Sequence, residues 1–199
     1  KTTAPAGSKQ TADPYISQVD SVLALMTLDE KIGQMTIFTT DWESTGPTIR
    51  EGYQNDIRNG SCGALFNSHT VAFTRKLQEI AVKESRLGIP LLFGYDVIHG
   101  YKTIFPIPLG ESCSWDLAAI EQSAAIAAAE SAAAGLHWTF APMVDISREP
   151  RWGRVMEGAG EDPYLGSLIA RARVHGFQGD NFNGTDRILA CVKHFAGYG

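Results

Sequence analysis

The chain has 199 residues, a formal net charge of −5, and is 44% hydrophobic and 20% charged. That length allows one sizeable core, and the mild acidity gives no basic footprint for nucleic acid and no pull toward anionic lipid. The longest low-charge stretch, 118–140, contains Glu121 and Glu130 and is too polar to span a bilayer.

The first residues, KTTAPAGSKQTA, have no starting Met and no apolar core, so residues 1–14 read as a flexible segment opening a mature or trimmed chain. Ile16, Val19, Val22, Leu23 and Met26 then recur at helical spacing. Thr27 opens TLDE, a capping-box pattern completed by Glu30. A strand is expected over Met35–Thr39. PTIREGYQNDIRNG reads as a short helix closed by Gly60, and CGALF as a second strand. Val71–Arg86 carries a helical stripe, and Ile89–Tyr95 reads as a third, buried strand. Ser114 is expected to cap an Ala-rich helix over Trp115–Ala134 that Gly135 ends. HWTFAPMVDI reads as the fourth strand. Asp162-Pro163 opens a helix reaching about Phe177, and RILACVKHF is the fifth strand.

Alternation of apolar strands with helices predicts an α/β fold with a parallel sheet, in one domain. An open doubly wound sheet and a (β/α)8 barrel compete. The first strand lacks a GxGxxG, so the dinucleotide form of the open sheet has little support. A barrel typically takes about 250 residues, so five strands would stop short of closure.

Barrel enzymes keep their chemistry at the C-terminal ends of strands. Asp96 and His99 follow the third strand. Asp145 and the stretch SREPRWGRVMEGAGEDP follow the fourth, and Lys193 and His194 end the fifth. Plainer readings stand beside these. A strand-end Asp often caps a loop, His99 and His137 suit packed histidines, and Arg148, Arg151 and Arg154 among Glu149, Glu157 and Glu161 could form a solvated charge run. Adjacent strand residues point to opposite faces, so Lys193 and His194 share a site only if the backbone distorts there. A cis peptide bond is one such distortion. Carboxylate, guanidinium, ammonium and imidazole together suit several sugar hydroxyls. A phosphate would not suit Asp96, and no HExxH or facial-triad spacing supports a metal. Retaining hydrolysis needs two carboxyls about 5 Å apart, and the sequence singles out no such pair. The three cysteines, Cys62, Cys113 and Cys191, have no zinc spacing and read as small buried hydrophobes, with at least one thiol unpaired by count.

MTLDEKIGQM, FGYDVIHGYKTIFPIPLG, ESAAAGLHWTFAPMVDISREPRWGRVMEGAGEDPYL and KHFAGYG, in this order, resemble glycoside hydrolase family 3, in its β-glucosidase branch, over residues 15–199. The resemblance implies a (β/α)8 TIM-barrel-like domain, truncated here after about five β/α units, with the usual second α/β sandwich domain absent. It implies retaining release of terminal β-D-glucosyl units from oligosaccharides or glycosides, without metal or organic cofactor. By analogy Asp96 accepts from the outer glucose hydroxyls, and Arg154 supports the same hydroxyls or orients Asp96. Lys193 and His194 donate to the middle hydroxyls, and Arg151 and Glu161 form charged pairs behind them. The family's nucleophile Asp and acid/base Glu are expected beyond Gly199, so no catalytic residue is assigned in this chain. The 199 residues alone are expected to be inactive. Xylosidase and arabinosidase members tend to carry Glu where Asp96 stands, which favours glucose. The N-acetylglucosaminidase motif has Pro and His where Ala196 and Tyr198 stand, which argues against that branch.

The expected partner is a small β-glucoside or oligosaccharide, with no nucleic acid and no membrane. A homodimer is left open for the intact enzyme, and the location is expected to be periplasmic or secreted. Two other readings stay open: a metal-dependent barrel hydrolase using Asp96, His99 and His194, and a non-catalytic sugar-binding protein. NGT at Asn183 is a glycosylation acceptor in a glycosylating host.

Overall fold

A computed structural model describes residues 13–43, 46–182, 184–195 and 197–199. Asn183 and all but Asp13 and Pro14 of the expected N-terminal segment lie outside the described residues. The elements run α1 (Ile16–Leu25), α2 (Leu28–Gln34), β1 (Ile37–Thr39), β2 (Asp41–Glu43), β3 (Gly46–Thr48), α3 (Tyr53–Arg58), β4 (Ala64–Phe66), α4 (Val71–Glu84), β5 (Leu92–Tyr95), α5 (Pro108–Ser112), α6 (Leu117–Ala133), β6 (Trp138–Thr139) and α7 (Pro163–Gln178).

β1, β4, β5 and β6 form one parallel sheet in that spatial order. The register pairs Ile37 with Ala64, Ala64 with Leu92, and Gly94 with Trp138. Leu189 and Lys193 continue the sheet as parallel bridges to Trp138 and Met143. Spatial order in this four-stranded sheet therefore follows chain order, with no reversal among its strands. A doubly wound sheet would reverse direction at a switch point.

The expected fourth and fifth strands are shorter than their apolar runs suggest. The Ala141–Pro142 bond is cis, and β6 stops at Thr139. Residues 188–193 contribute bridges rather than a continuous strand. An antiparallel pair, β2 with β3, occupies part of the segment read as helix; the short strand pairing of Asp41 with Thr48 leaves only α3 helical.

Local chemistry sets the helix starts. The Thr27 side chain accepts from Glu30 N–H, and Glu30 returns the contact to Thr27 N–H, so the capping box forms as expected. Asp162 accepts from the N–H groups of Tyr164 and Leu165, with Pro163 at the first helical position. The cap of α6 is Asp116, which accepts from Ala119 N–H; Ser114 instead accepts from Asp116 N–H. Trp115, with φ of 56°, intervenes, so the chain enters the helix two residues later than the sequence suggests.

Two apolar clusters cover one face of the sheet. Ile57, Leu65, Leu77, Ile80 and Phe93 seat α3 and α4 on β4 and β5. Val97, Ala124, Ala127, Ala128, Phe177 and Ile188 join α6 and α7 to the sheet. Each fully buried large side chain here contributes about 1.5–3 kcal/mol. The alanines of α6 let α7 approach closely: a Cβ on Gly176 would lie 2.3 Å from the Glu121 carbonyl oxygen. Of the cysteines, Cys62 is buried, Cys191 is half-buried and Cys113 is exposed, all as free thiols. The expectation of three buried thiols therefore fails at Cys113, which lies at the exposed end of α5. No helix among the described residues is long and apolar enough to cross a membrane.

The opposite face of the sheet carries Ile37, Phe66, Trp138 and Phe140 around an open cleft of about 400 Å³. Trp138 and Phe140 stand 4.8 Å apart by ring centroids, and Phe66 meets Phe140 edge-on at 5.1 Å. Gly94 makes this arrangement fit, since a Cβ there would lie 2.1 Å from the Trp138 Nε1. Gly94→Ala should destabilise the full-length protein by about 1–3 kcal/mol, because the indole must leave its place. A urea midpoint unchanged from wild type would contradict this.

Candidate functional site

Three strand ends deliver polar side chains to one rim. Asp96 follows β5 directly. Asp145 follows the segment after β6, and Lys193 and His194 end the last bridged segment. Arg154 and Glu157 enter from the loop after Asp145, across a 3₁₀ turn at Val155–Glu157.

These groups form one connected chain of contacts. Lys193 Nζ donates to Asp96 Oδ1 at 3.3 Å and lies 3.8 Å from Glu157 Oε2. Arg154 forks onto Glu157 with two bonds of 2.7 Å. Its remaining nitrogen, Nη1, faces His194 Nε2 at 3.4 Å and the Tyr198 hydroxyl at 3.5 Å. Asp145, whose side chain is 3% exposed, accepts from His194 N–H at 3.1 Å and meets His194 Nδ1 at 2.8 Å. The Lys193–His194 peptide bond is cis, the distortion that alternation of side chains called for, and both side chains join the same chain of contacts.

The Asp145 contact fixes the histidine tautomer. A carboxylate only accepts, so Nδ1 carries the hydrogen, and Nε2 of the neutral ring faces the rim as an acceptor. The sequence reading had His194 donating; the buried carboxylate reverses that role for the neutral ring. Arg154 holds the Glu157 carboxyl below the usual carboxylate range, with Lys193 adding to the effect and burial opposing it. The fork is therefore kept to a lower pH than an ordinary glutamate contact and is lost as the pH falls through the lowered value.

Other expectations meet different partners. Arg154 pairs with Glu157, not Asp96, because a three-residue spacing on a tight turn brings the two together. Arg151 is exposed and binds Glu149 at 2.8 Å, while Glu161 is exposed just before the cap of α7. Arg151 does form a charged pair, but with Glu149 at the surface. His99 Nδ1 contacts the Phe105 carbonyl oxygen at 3.0 Å, and His137 Nδ1 accepts from Phe93 N–H at 3.0 Å. Both are the packed histidines their plainer reading suggested. No group of three or more His, Cys, Asp or Glu that could hold a metal occurs among the described residues. Sequence reasoning missed Glu157 as a member of the site; its signal was the i, i+3 spacing from Arg154.

Asp145→Ala removes the one oxygen, Oδ2, that accepts from both the backbone N–H and Nδ1 of His194, so the neutral His194 ring should lose its preference for the hydrogen on Nδ1. Ring ¹⁵N chemical shifts in the full-length protein report the tautomer, and identical shifts in both proteins would refute the assignment.

Comparison with known proteins fits this arrangement. A family profile described as "Glycosyl hydrolase family 3 N terminal domain" matches residues 27–199. The chain is 44% identical to a periplasmic beta-glucosidase of Salmonella typhimurium, over 91% of this chain and 23% of that protein. It superposes on a beta-glucosidase from Listeria innocua with a TM-score of 0.80 and 40% identity, over 90% of this chain and 26% of the other. That enzyme has also been solved with glucose, and a mutant of it with laminaribiose. An exo-1,3/1,4-beta-glucanase from Pseudoalteromonas gives a TM-score of 0.79 at 29% identity, over 93% of this chain and 25% of the other. The chain thus spans about a quarter of the length of these relatives. With the profile covering most of its residues, it belongs to glycosyl hydrolase family 3, as that family's N-terminal domain.

Proposed function

We propose that the rim of Asp96, Arg154, Lys193 and His194 grips the terminal glucose of a β-glucoside in a retaining β-glucosidase. The observation that carries the reading is their convergence, from separate strand ends, into one chain of hydrogen bonds and ion pairs. The sheet in this reading is the first part of a (β/α)8 barrel built on residues 15–199. Its sequential strand order suits closure, and its aromatic face borders an open cleft where a barrel interior would lie.

Among the described residues Asp96 is the one charged side chain lining the aromatic cleft, and it is 42% exposed, so it can accept from two adjacent hydroxyls. Lys193 donates to the same hydroxyls while holding Asp96. As the sugar enters, it replaces the 3.4 Å contact between His194 Nε2 and Arg154 Nη1: Nε2 accepts a hydroxyl hydrogen, and Arg154, still fixed by Glu157, donates from Nη1 to the sugar. Apolar aromatic surface beside a few placed polar groups is the usual make-up of a small-molecule site. The nucleophile and acid/base lie outside these residues, and no metal or organic cofactor enters the reaction. The periplasmic relative supports a periplasmic or secreted location.

The test uses the full-length gene product. It should hydrolyse an aryl β-glucoside, and Asp96→Asn should lower kcat/KM by roughly 10- to 150-fold for each charged hydroxyl contact weakened. Residues 1–199 alone should give no hydrolysis. Full activity in Asp96→Asn, or turnover by the 199 residues, would overturn the reading.

A further inference from the structure

Behind the rim lies an ion pair that the sugar contacts do not use. Glu111, on α5, and Arg173, on α7, have side chains 8% and 5% exposed, and Arg173 Nη1 donates to Glu111 Oε2 at 2.5 Å. Arg173 Nη2 donates to the carbonyl oxygen of Ile98, two residues past Asp96. Its guanidinium lies 5.8 Å from the centre of the Phe177 ring. A cavity of about 20 Å³ is lined by Ile98 and Arg173 and by Asp145 and Glu157 of the rim. That is room for about one water.

Burying two charges is costly, and well-packed apolar side chains of the same volume often serve stability as well or better. A planar guanidinium can do what an apolar side chain cannot: it binds two acceptors at once in a fixed geometry. Here the second acceptor is the backbone of the turn that carries Asp96. The same turn is held from the other side, where Val97 N–H donates to Thr139 Oγ1 at 3.0 Å. The Asp96 carboxylate has one hydrogen-bond partner among the described residues, Lys193, whose side chain is 12% exposed. Lys193 therefore holds the carboxylate, and the buried donors set where the backbone that carries it stands.

We propose that Arg173, held by Glu111, is a positioning residue that fixes Asp96 against the sugar by clamping the Ile98 carbonyl. The inference rests on the sugar-site reading above, and it makes the ion pair a part of substrate recognition rather than of folding.

Removing one charge alone would leave the other buried and unpaired, so the test removes both. In the full-length enzyme, Glu111→Leu with Arg173→Met should keep the wild-type melting temperature or raise it. It should lower kcat/KM for 4-nitrophenyl β-D-glucopyranoside at least about 10-fold, since a misplacement near 1 Å can cost about 100-fold. The loss should also be shared with Asp96: adding Asp96→Asn to the pair should cost much less than Asp96→Asn costs in wild type. A purely structural role would leave the two losses additive. Activity within about twofold of wild type, or additive losses, would overturn the proposal. If the double replacement does not fold, Arg173→Lys is put through the same cycle with the same criteria, because an ammonium cannot span both acceptors as the guanidinium does. A wild type that neither hydrolyses the glucoside nor binds glucose by calorimetry would overturn the sugar site and this inference with it. An active wild type that is sensitive to Asp96→Asn but indifferent to the pair would overturn this inference alone.

Discussion

Each permanent cation on the rim is held by a carboxylate: Lys193 by Asp96, Arg154 by Glu157. Asp145 does the same for the imidazole of His194. Charges crowded at a strand-end mouth would repel or wander unless paired, and pairing makes their positions definite before any ligand arrives. Preformed placement of this kind lowers the ordering cost of binding. The pairs differ in access. The contact of His194 with Asp145 is buried on the acid side, whereas the Asp96 side chain is 42% exposed, so the ligand meets an accessible carboxylate among groups already paired.

Much of the scaffold was legible because its signals are local. The capping box at Thr27–Glu30, the Asp162-Pro163 helix start and the buried run ending at Tyr95 each follow from a few neighbouring residues. The distortion at Lys193–His194 was legible for another reason: two polar neighbours on a strand cannot serve one site without it. What escaped was non-local or competitive. Pro47 and Thr48 pair antiparallel with Trp42 and Asp41, and nothing in their own stretch announces it. Ser114 and Asp116 both offer a capping oxygen, and only the left-handed turn at Trp115 decides between them.

The site followed the same division. Which residues reach the rim was readable from strand ends, but which residue each one holds was not. Arg154 had three acids within reach by sequence, and the tight turn settled on Glu157. Arg173 gave no signal at all, because its two acceptors come from distant stretches, one of them a backbone carbonyl.

The agreement between chain order and spatial order in the sheet also bears on how the domain is made. Each strand needs only the one synthesised just before it as a template, so the sheet can grow as the chain leaves the ribosome, without waiting for a distant partner. α1 illustrates the other side of vectorial assembly. None of its residues is buried, and its Ile16, Val19 and Val22 stay open to water in these 199 residues. Until something covers that helix, a nascent polypeptide carrying it presents an early, sticky surface of the kind that holdase chaperones recognise.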